Sequence, residues 1–374
     1  MDNKHPLPKA RGKQKIVSYL FSKVPPPLLR KWTGGNLIIP YYHMVSDREV
    51  LHIKHLFRHK TIGQFKDDLE FLLKYYSPVG LVDVMDRVRN NRSLPENAFL
   101  LTFDDGYREM HDIVAPILVE KGIPATFFLN SAFIDNRELC FLHKASLLMG
   151  RVEKTTSLNG KRKIEEILKE NGIPCSEIME GIVSITYQQR DILDPIGHLM
   201  DVDFNDYLLK REPYLTTYQI ERLIRDGFTI GAHSVDHPLY ASLSLKDQLD
   251  QTMKSVAFIR ERFRLKYGVF AFPHSDRGIT GTFFEELHQS GLVELTFGTR
   301  GMIKDCVPNH LQRFSLEKPL LPAKRIIALQ SGRKLFRITK GSSQTTRRRD
   351  EPVPFEQGAG GISEEASPDP MKPR

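Results

Sequence analysis

Short apolar runs alternate with amphipathic segments along most of the chain. The runs at Asn36–Tyr42, Ala98–Phe103 and Ala125–Leu129 predict buried strands. Between them, apolar positions recur at helical spacing, as in Phe65–Tyr76 and in the segment after Gly106. Alternation of this kind indicates parallel strands joined by crossover helices, so the sequence predicts an α/β fold.

The alternation stops over residues 136–212 and resumes afterwards. The interrupted stretch has little strand signal and many helix-forming residues, which predicts a helical insertion. Later apolar runs predict three more strands, at Phe228–Ala232, Val269–Phe272 and Leu295–Phe297. We therefore expect one (β/α) domain over residues 36–335 that contains the insertion.

Both ends of the chain differ from the middle in composition. Residues 1–35 carry eight Lys or Arg and one Asp, whereas residues 341–374 contain five Pro and four Gly and few large apolar side chains. The first segment is interpreted as a basic amphipathic leader that contacts a membrane through residues 16–32, or as a flexible extension that packs on the body. The second is predicted to be a disordered tail.

Charge and cysteine content restrict the function classes. The 374-residue chain has a net charge of +8, but residues 36–340 carry only about +2, which argues against a nucleic-acid partner. Its three cysteines, Cys140, Cys175 and Cys306, have no CxxC spacing, and no apolar run is long enough to cross a bilayer. With no signal-peptide pattern, these features predict a cytoplasmic protein, and the basic leader suggests peripheral contact with the inner face of the membrane.

Acidic and imidazole side chains follow two of the predicted strands. Asp104 and Asp105 come directly after Ala98–Phe103, and His233 follows Ala232 with His237 four residues later. Carboxyl ends of parallel strands are where active sites form, and one helical turn would bring both imidazoles to one side. Asp105, His233 and His237 therefore make a candidate metal site with open positions, although a simple Asp-Asp-Gly turn is the alternative.

A second histidine group lies at His52, His55 and His59. Lys54, Arg58 and Lys60 surround it and no carboxylate is interleaved. Neighbouring cations disfavour a divalent metal, so we interpret this group as part of a polar loop or helix.

These motifs resemble those of the polysaccharide deacetylase family (carbohydrate esterase family 4, NodB homology domain). LTFDDGY at 101–107 is similar to the first family motif and GAHSVDHP at 231–238 to the paired-histidine motif, and PYYHMVSD at 40–47 and KGIPATFFL at 121–129 are also typical. The resemblance covers about residues 36–320. It implies a distorted (β/α) barrel with a helical insertion.

The resemblance also implies roles for individual residues. Asp104 matches the general base, and Asp105, His233 and His237 match the ligands of a divalent metal, usually Zn²⁺. The third motif falls at FAFPHSD (270–276), where Ala271 stands in place of the arginine that usually orients the base and His274 in place of an aromatic residue.

The proton donor is less well defined by the motifs. His310 is the nearest match to the histidine acid of the fifth motif, with His274 as the other candidate. Arg313 and Glu317 are interpreted as a structural pair or as substrate contacts.

The expected function is metal-dependent removal of acetyl groups from an N-acetylated glycan or a lipid-linked sugar. Two alternatives stay open: an esterase acting on O-acetylated glycans, and a non-catalytic carbohydrate-binding relative. A phosphoesterase or nuclease is disfavoured because the body of the chain is nearly neutral.

Overall fold

A computed structural model describes residue 21 and residues 23–153, 158–173, 175–317, 321–342 and 344–349. Residues 16–20 and 22 of the predicted leader contact therefore lie outside the described part. Residues 343 and 350–374 of the predicted tail also lie outside it. Within that part, no helix has both the length and the apolar character needed to cross a bilayer.

Eleven short strands are described. In chain order they are β1 Leu37–Ile38, β2 Pro40–Tyr42, β3 Ser77–Pro78, β4 Ala98–Phe99, β5 Leu101–Phe103, β6 Ala125–Leu129, β7 Thr229–Ala232, β8 Val269–Ala271, β9 Leu295–Gly298, β10 His310–Gln312 and β11 Phe314–Ser315. Eight of them form a parallel sheet in the order β10-β9-β8-β7-β6-β5-β2-β11, and β1, β4 and β3 form a small second sheet.

The eight-stranded sheet curls into a nearly closed barrel. Only Arg313 separates β10 from β11, and β10 pairs with β9 while β11 pairs with β2. One continuous stretch of chain therefore joins the two edges of the sheet. This confirms the predicted distorted (β/α) barrel.

Helices surround the barrel and fill the predicted insertion. Those around the barrel are α1 Pro26–Thr33, α2 Ile62–Tyr75, α3 Leu81–Asn90, α4 Ala115–Lys121, α10 Thr217–Arg225, α11 Leu245–Arg262, α12 Gly281–Gln289 and α13 Ala323–Thr339. Those between residues 136 and 212 are α5 Phe141–Val152, α6 Leu158–Glu170, α7 Ile178–Ser184, α8 Leu193–Leu199 and α9 Phe204–Arg211. The described residues of this stretch contain no strand.

Local sequence signals explain several helix starts. Thr61 and Thr216 precede α2 and α10, and each hydroxyl accepts a hydrogen bond from the backbone N–H of a Gln three residues later, whose side chain bonds back. These capping boxes satisfy backbone donors that the first turn leaves free. Apolar faces of the helices then pack on the aromatic side chains of the barrel, such as Phe103 and Phe127, which stack at 5.2 Å.

Part of the predicted tail belongs to the folded body. The Arg347 guanidinium is buried and pairs with the carboxylates of Asp276 and Asp305, at 2.7 and 2.8 Å. It also donates to the backbone oxygen of Ile279. The prediction of disorder from residue 341 is therefore wrong for residues 344–349, because composition cannot reveal one arginine that neutralises two buried acids.

We expect Arg347→Met to lower the free energy of unfolding by about 3–5 kcal/mol, because it leaves two buried carboxylates without their counterion. Urea unfolding followed by circular dichroism would measure the change. Arg348→Met is the matched control, since Arg348 is exposed and is held through its backbone carbonyl. Equal stability of the two variants would contradict a structural role for Arg347.

Candidate active site

The two adjacent carboxylates lie at the carboxyl end of β5 and are both buried. Asp105 and Gly106 have positive φ angles, 75° and 72°, which turn the backbone sharply after Asp104. A side chain at Gly106 would have its Cβ 3.1 Å from the Leu129 side chain, so glycine suits this turn both in conformation and in space. The turn gives the two carboxylates different partners.

Asp105 lies against both motif histidines. Its Oδ1 atom is 3.4 Å from Nε2 of His233 and 3.2 Å from Nε2 of His237, and one ligand atom of each residue lies within 4.8 Å of the others. The structure therefore brings together the three predicted metal ligands. No hydrogen bond satisfies the buried Oδ1 atom.

An irregular turn brings the two histidines together, in place of the predicted turn of α-helix. His233 directly follows β7, and the following segment contains positive φ angles at Ser234 and His237. The Ser234 hydroxyl accepts a hydrogen bond from the backbone N–H of His237, and Asn130 donates to the backbone oxygen of His233. Short polar side chains that bond to the backbone thus stabilise the turn.

Asp104 is paired with an arginine that sequence reasoning assigned elsewhere. Nη1 and Nη2 of Arg313 donate to the two carboxylate oxygens of Asp104, at 2.7 and 2.8 Å. Burial raises the pKa of Asp104, but the Arg313 charge, its hydrogen bonds and smaller contributions from His233 and His43 together outweigh burial and lower the pKa. Arg313 therefore keeps Asp104 ionised, and its bidentate contact fixes the carboxylate orientation.

Arg313 and Glu317 do not form the structural pair that was one of the two interpretations of these residues. Glu317 instead accepts hydrogen bonds from the backbone N–H groups of His43 and Met44, and its Oε2 lies 2.5 Å from Nδ1 of His43. Arg313 also occupies the role that the resemblance assigns to the arginine absent at Ala271. Both residues lie on the closing stretch around β11, which pairs directly with β2.

His43 follows β2 as Asp104 follows β5, and sequence analysis did not assign it to the site. Its side chain is 26% exposed, so one side of the ring is open. Burial lowers the pKa of His43, but the Glu317 carboxylate outweighs it and raises the pKa to about 9, with smaller contributions from Asp105 and Asp104. The signal that could have identified it is its position at a strand end.

His310 does not lie with these residues. Its Nδ1 is 2.7 Å from the Thr296 hydroxyl and its Nε2 is 3.2 Å from Asp276, and its side chain has no solvent exposure. His310 and Arg313 are three residues apart on an extended stretch, so their side chains leave opposite faces. His310 belongs to the buried Asp276–Arg347 network, and the proton-donor role given to it stays a prediction.

His274 lies at the edge of the site. Its ring centroid is 4.4 Å from that of His237, and the residue is exposed. The backbone there has a φ of 54°. The catalytic role assigned to His274 stays a prediction.

The other histidine group has a structural environment. His52 is buried with Nδ1 2.9 Å from the Tyr207 hydroxyl, and neither His52, His55 nor His59 belongs to a candidate metal group among the described residues. The insertion does reach the site, because His143 of α5 bonds to the hydroxyl of Tyr107, two residues after Asp105. Sequence analysis did not identify this contact.

Two candidate metal groups exist in the described residues, and their chemistry differs. The group of Asp276, Asp305 and His310 already contains the Arg347 guanidinium, which neutralises its carboxylates. The group of Asp105, His233 and His237 contains no cation. The Nδ1–H of His233 donates to the Ala271 carbonyl at 2.9 Å, which leaves its Nε2 lone pair facing Asp105.

Short sequence matches and a wider structural match relate the chain to known proteins. The chain is 37% identical over 60 residues to "Poly-beta-1,6-N-acetyl-D-glucosamine N-deacetylase" of Escherichia coli strain K12, and equally to that of strain O157:H7. The match covers 16% of this chain and only 9% of each relative. The structure of "Streptococcus pyogenes deacetylase PplD in complex with acetate" aligns over 78% of this chain and 97% of its own, with a TM-score of 0.51 and 13% identity.

The structural match supports the barrel fold and nothing finer. The family match extends over more of the chain than the 60-residue match to the relatives does. The family model named "Polysaccharide deacetylase" matches residues 91–294. That range is more than half of the chain and contains both Asp104–Asp105 and the His233–His237 motif. The chain belongs to the polysaccharide deacetylase family.

Proposed function

We propose that the protein is a metal-dependent hydrolase that removes acetyl groups from N-acetylated sugars of a glycan or of a lipid-linked glycan precursor. One observation carries the proposal: an ionised carboxylate, Asp104, is held by Arg313 directly beside a two-histidine, one-carboxylate group. The names of the Escherichia coli relatives support an N-acetylated substrate. Cytoplasmic location and membrane contact through residues 16–32 stay predictions.

The residues present fit a divalent metal ion. Asp105 Oδ1 is buried and accepts no hydrogen bond, and the two imidazole Nε2 atoms lie 3.2 and 3.4 Å from it. Atoms that bind one ion at about 2.1 Å are separated by about 3 Å or more, so the spacing is suitable. Zn²⁺ is the ion that this donor set suits best, and when bound it supplies Lewis-acid polarisation of the acetyl carbonyl and a more acidic water.

Asp104 is the proposed general base. It is not part of the proposed ligand set, and Arg313 holds both of its oxygens in one orientation. The base accepts a proton from the water that attacks the acetyl carbon. Because the backbone turns at Asp105 and Gly106, two adjacent residues can have different roles: Asp104 as the base and Asp105 as a metal ligand.

His43 is the proposed general acid, in place of His310. Its Nδ1–H faces Glu317, which fixes the ring and leaves Nε2 as the atom that can donate to the departing amine. A raised pKa keeps the ring protonated at neutral pH. The backbone N–H groups of His43 and Met44 donate to the same carboxylate, so Glu317 is held in place beside the His43 ring.

Glu317→Gln is expected to move the alkaline limb of the kcat profile to lower pH by at least about one unit. The acid must be protonated, so activity falls as pH rises through the pKa of His43, which the Glu317 carboxylate raises to about 9. Loss of that carboxylate lowers the pKa and brings the fall to lower pH. Steady-state acetate release between pH 6 and about 10 measures the shift.

The control for this experiment is Glu120→Gln, which removes an exposed carboxylate on α4. Its profile should match that of the unmodified protein. An unchanged alkaline limb in Glu317→Gln would exclude His43 as the proton donor.

Substrate class is tested by acetate release from matched N-acetylated and O-acetylated oligosaccharides. The proposal predicts turnover of the N-acetylated series. Preferential turnover of the O-acetylated series would identify the esterase alternative, and tight binding without turnover of either would identify a carbohydrate-binding protein.

A further inference from the structure

Four arginines outside the site share one region of the surface. Arg333 and Arg337 lie one helical turn apart on α13 and follow Gln330 on the same face. Helix α13 contains no Asp or Glu. This face therefore presents positive charge without an acidic side chain on its own helix.

Contacts of Gln330 place that face beside the loop after β9. A Cβ at Gly301 would lie 2.6 Å from Oε1 of Gln330, so the helix approaches the loop closely. Arg300 immediately precedes Gly301 in this loop, and its backbone N–H donates to Gln312 at 2.7 Å. Arg300 is thus fixed next to the helix that carries the other two arginines.

The fourth arginine comes from the loop after β8. Oδ1 of Asp276 accepts a hydrogen bond from the backbone N–H of Thr299 at 3.1 Å, which ties the two loops together. Arg277 follows Asp276 directly. The loops after β8 and β9 and helix α13 therefore bring the four arginines into one region, called here the arginine cluster.

The cluster has no acidic partner within the described part of the chain. No ion pair there involves Arg277, Arg300, Arg333 or Arg337, although Arg300, Arg333 and Arg337 are partly buried. Burial lowers the pKa of Arg337, and the charges of Arg300, Arg333 and Arg277 lower it further, which supports their proximity. By contrast, the buried Arg313 and Arg347 each contact carboxylates. Unpaired guanidinium groups repel each other, and an anion between them would remove that repulsion.

Exposed apolar side chains flank the cluster. Phe336 and Ile338 adjoin Arg337 and are 60% and 40% exposed, and Trp32 of α1, which packs on α13, is 49% exposed. A phosphate group joined to a hydrocarbon chain could contact both kinds of surface.

We infer that Arg277, Arg300, Arg333 and Arg337 form a binding site for a phosphoryl group, built from residues other than those of the Asp104–Asp105 site. Planar guanidinium groups bind phosphate oxygens in pairs, so four of them suit a phosphate or diphosphate better than a single carboxylate. The ligand is either a soluble phosphorylated molecule or a lipid headgroup. The inference does not depend on deacetylase activity.

Direct binding of two probes tests the site. Isothermal titration with inorganic pyrophosphate, and sedimentation with vesicles of phosphatidylcholine alone or with added phosphatidylglycerol, are measured for the full chain and for Arg333→Gln/Arg337→Gln. We expect the double variant to lose at least about tenfold in affinity for whichever probe binds. Without ligand, its melting temperature should equal or exceed that of the unmodified protein, because repulsion has been removed.

The matched control is Arg262→Gln/Lys266→Gln, which removes the same charge from exposed positions at the last residue of α11 and four residues beyond it. Arginine-dependent binding of pyrophosphate alone would indicate a soluble ligand. Arginine-dependent binding to vesicles that contain phosphatidylglycerol, but not to vesicles of phosphatidylcholine alone, would indicate a lipid headgroup. Absence of binding to both probes, or equal loss in the control variant, would overturn the inference.

Discussion

Asp104→Asn is expected to lower kcat for acetate release by about 10²–10⁴-fold while the protein keeps its metal. An amide cannot accept the proton of the attacking water at neutral pH, but it preserves the size of the side chain. Asp104 is outside the proposed ligand set of Asp105, His233 and His237, so metal content should not change. Steady-state kinetics and elemental analysis of the same sample measure both quantities.

Asp105→Ala is the companion variant and should lose both metal and activity. Its Oδ1 is the atom that both imidazoles face, so its removal opens the ligand set. Undiminished turnover in Asp104→Asn would show that the assigned base is wrong. Loss of metal in Asp104→Asn would show that the two carboxylates do not have separate roles.

Arg313→Met should lower the free energy of unfolding by about 3–5 kcal/mol and also reduce kcat. The guanidinium is fully buried, and it donates to both oxygens of Asp104. Its removal leaves that carboxylate buried without a counterion, and the pKa of Asp104 rises. The reduced kcat should then recover in part as pH increases, a response that a purely structural role would not produce.

The double variant Asp104→Asn/Arg313→Met separates charge from packing. With neither partner ionised, it should be more stable than a variant that lacks only the arginine. Urea unfolding of the single and double variants gives the interaction energy between the two positions. Additive losses of stability would contradict direct coupling of Arg313 to Asp104.

Local sequence features were sufficient to predict the parallel α/β fold and the metal-ligand candidates, whereas the barrel followed from the family resemblance. Apolar runs with helical segments between them predicted the parallel strands. Asp104, Asp105 and His233 directly follow two of those strands. Asp105 and His233 converge because the carboxyl ends of parallel strands meet at one edge. The turn that positions His237 depends on side chains such as Asn130, and its geometry could not be predicted from spacing.

Residues distant in sequence were harder to place. Arg313 lies 209 positions from Asp104, and Glu317 lies 274 positions from His43. Their roles depend on how the β10–β11 stretch closes the barrel, and the alternation of side chains along it directs Arg313 toward Asp104 and His310 away. No motif indicates which face a residue occupies when the boundaries of the strand are unknown. Arg347 was missed for a related reason, since its partners lie on two distant loops.

The most direct test of the central claim is metal-dependent acetate release from an N-acetylated glucosamine oligosaccharide. The purified protein is depleted by chelation and then titrated with Zn²⁺ while acetate release and bound metal are recorded together. The account predicts no turnover before metal addition and a rise in rate that saturates near one ion per chain. Full turnover in the depleted protein, or no acetate release when the site is saturated, would contradict it.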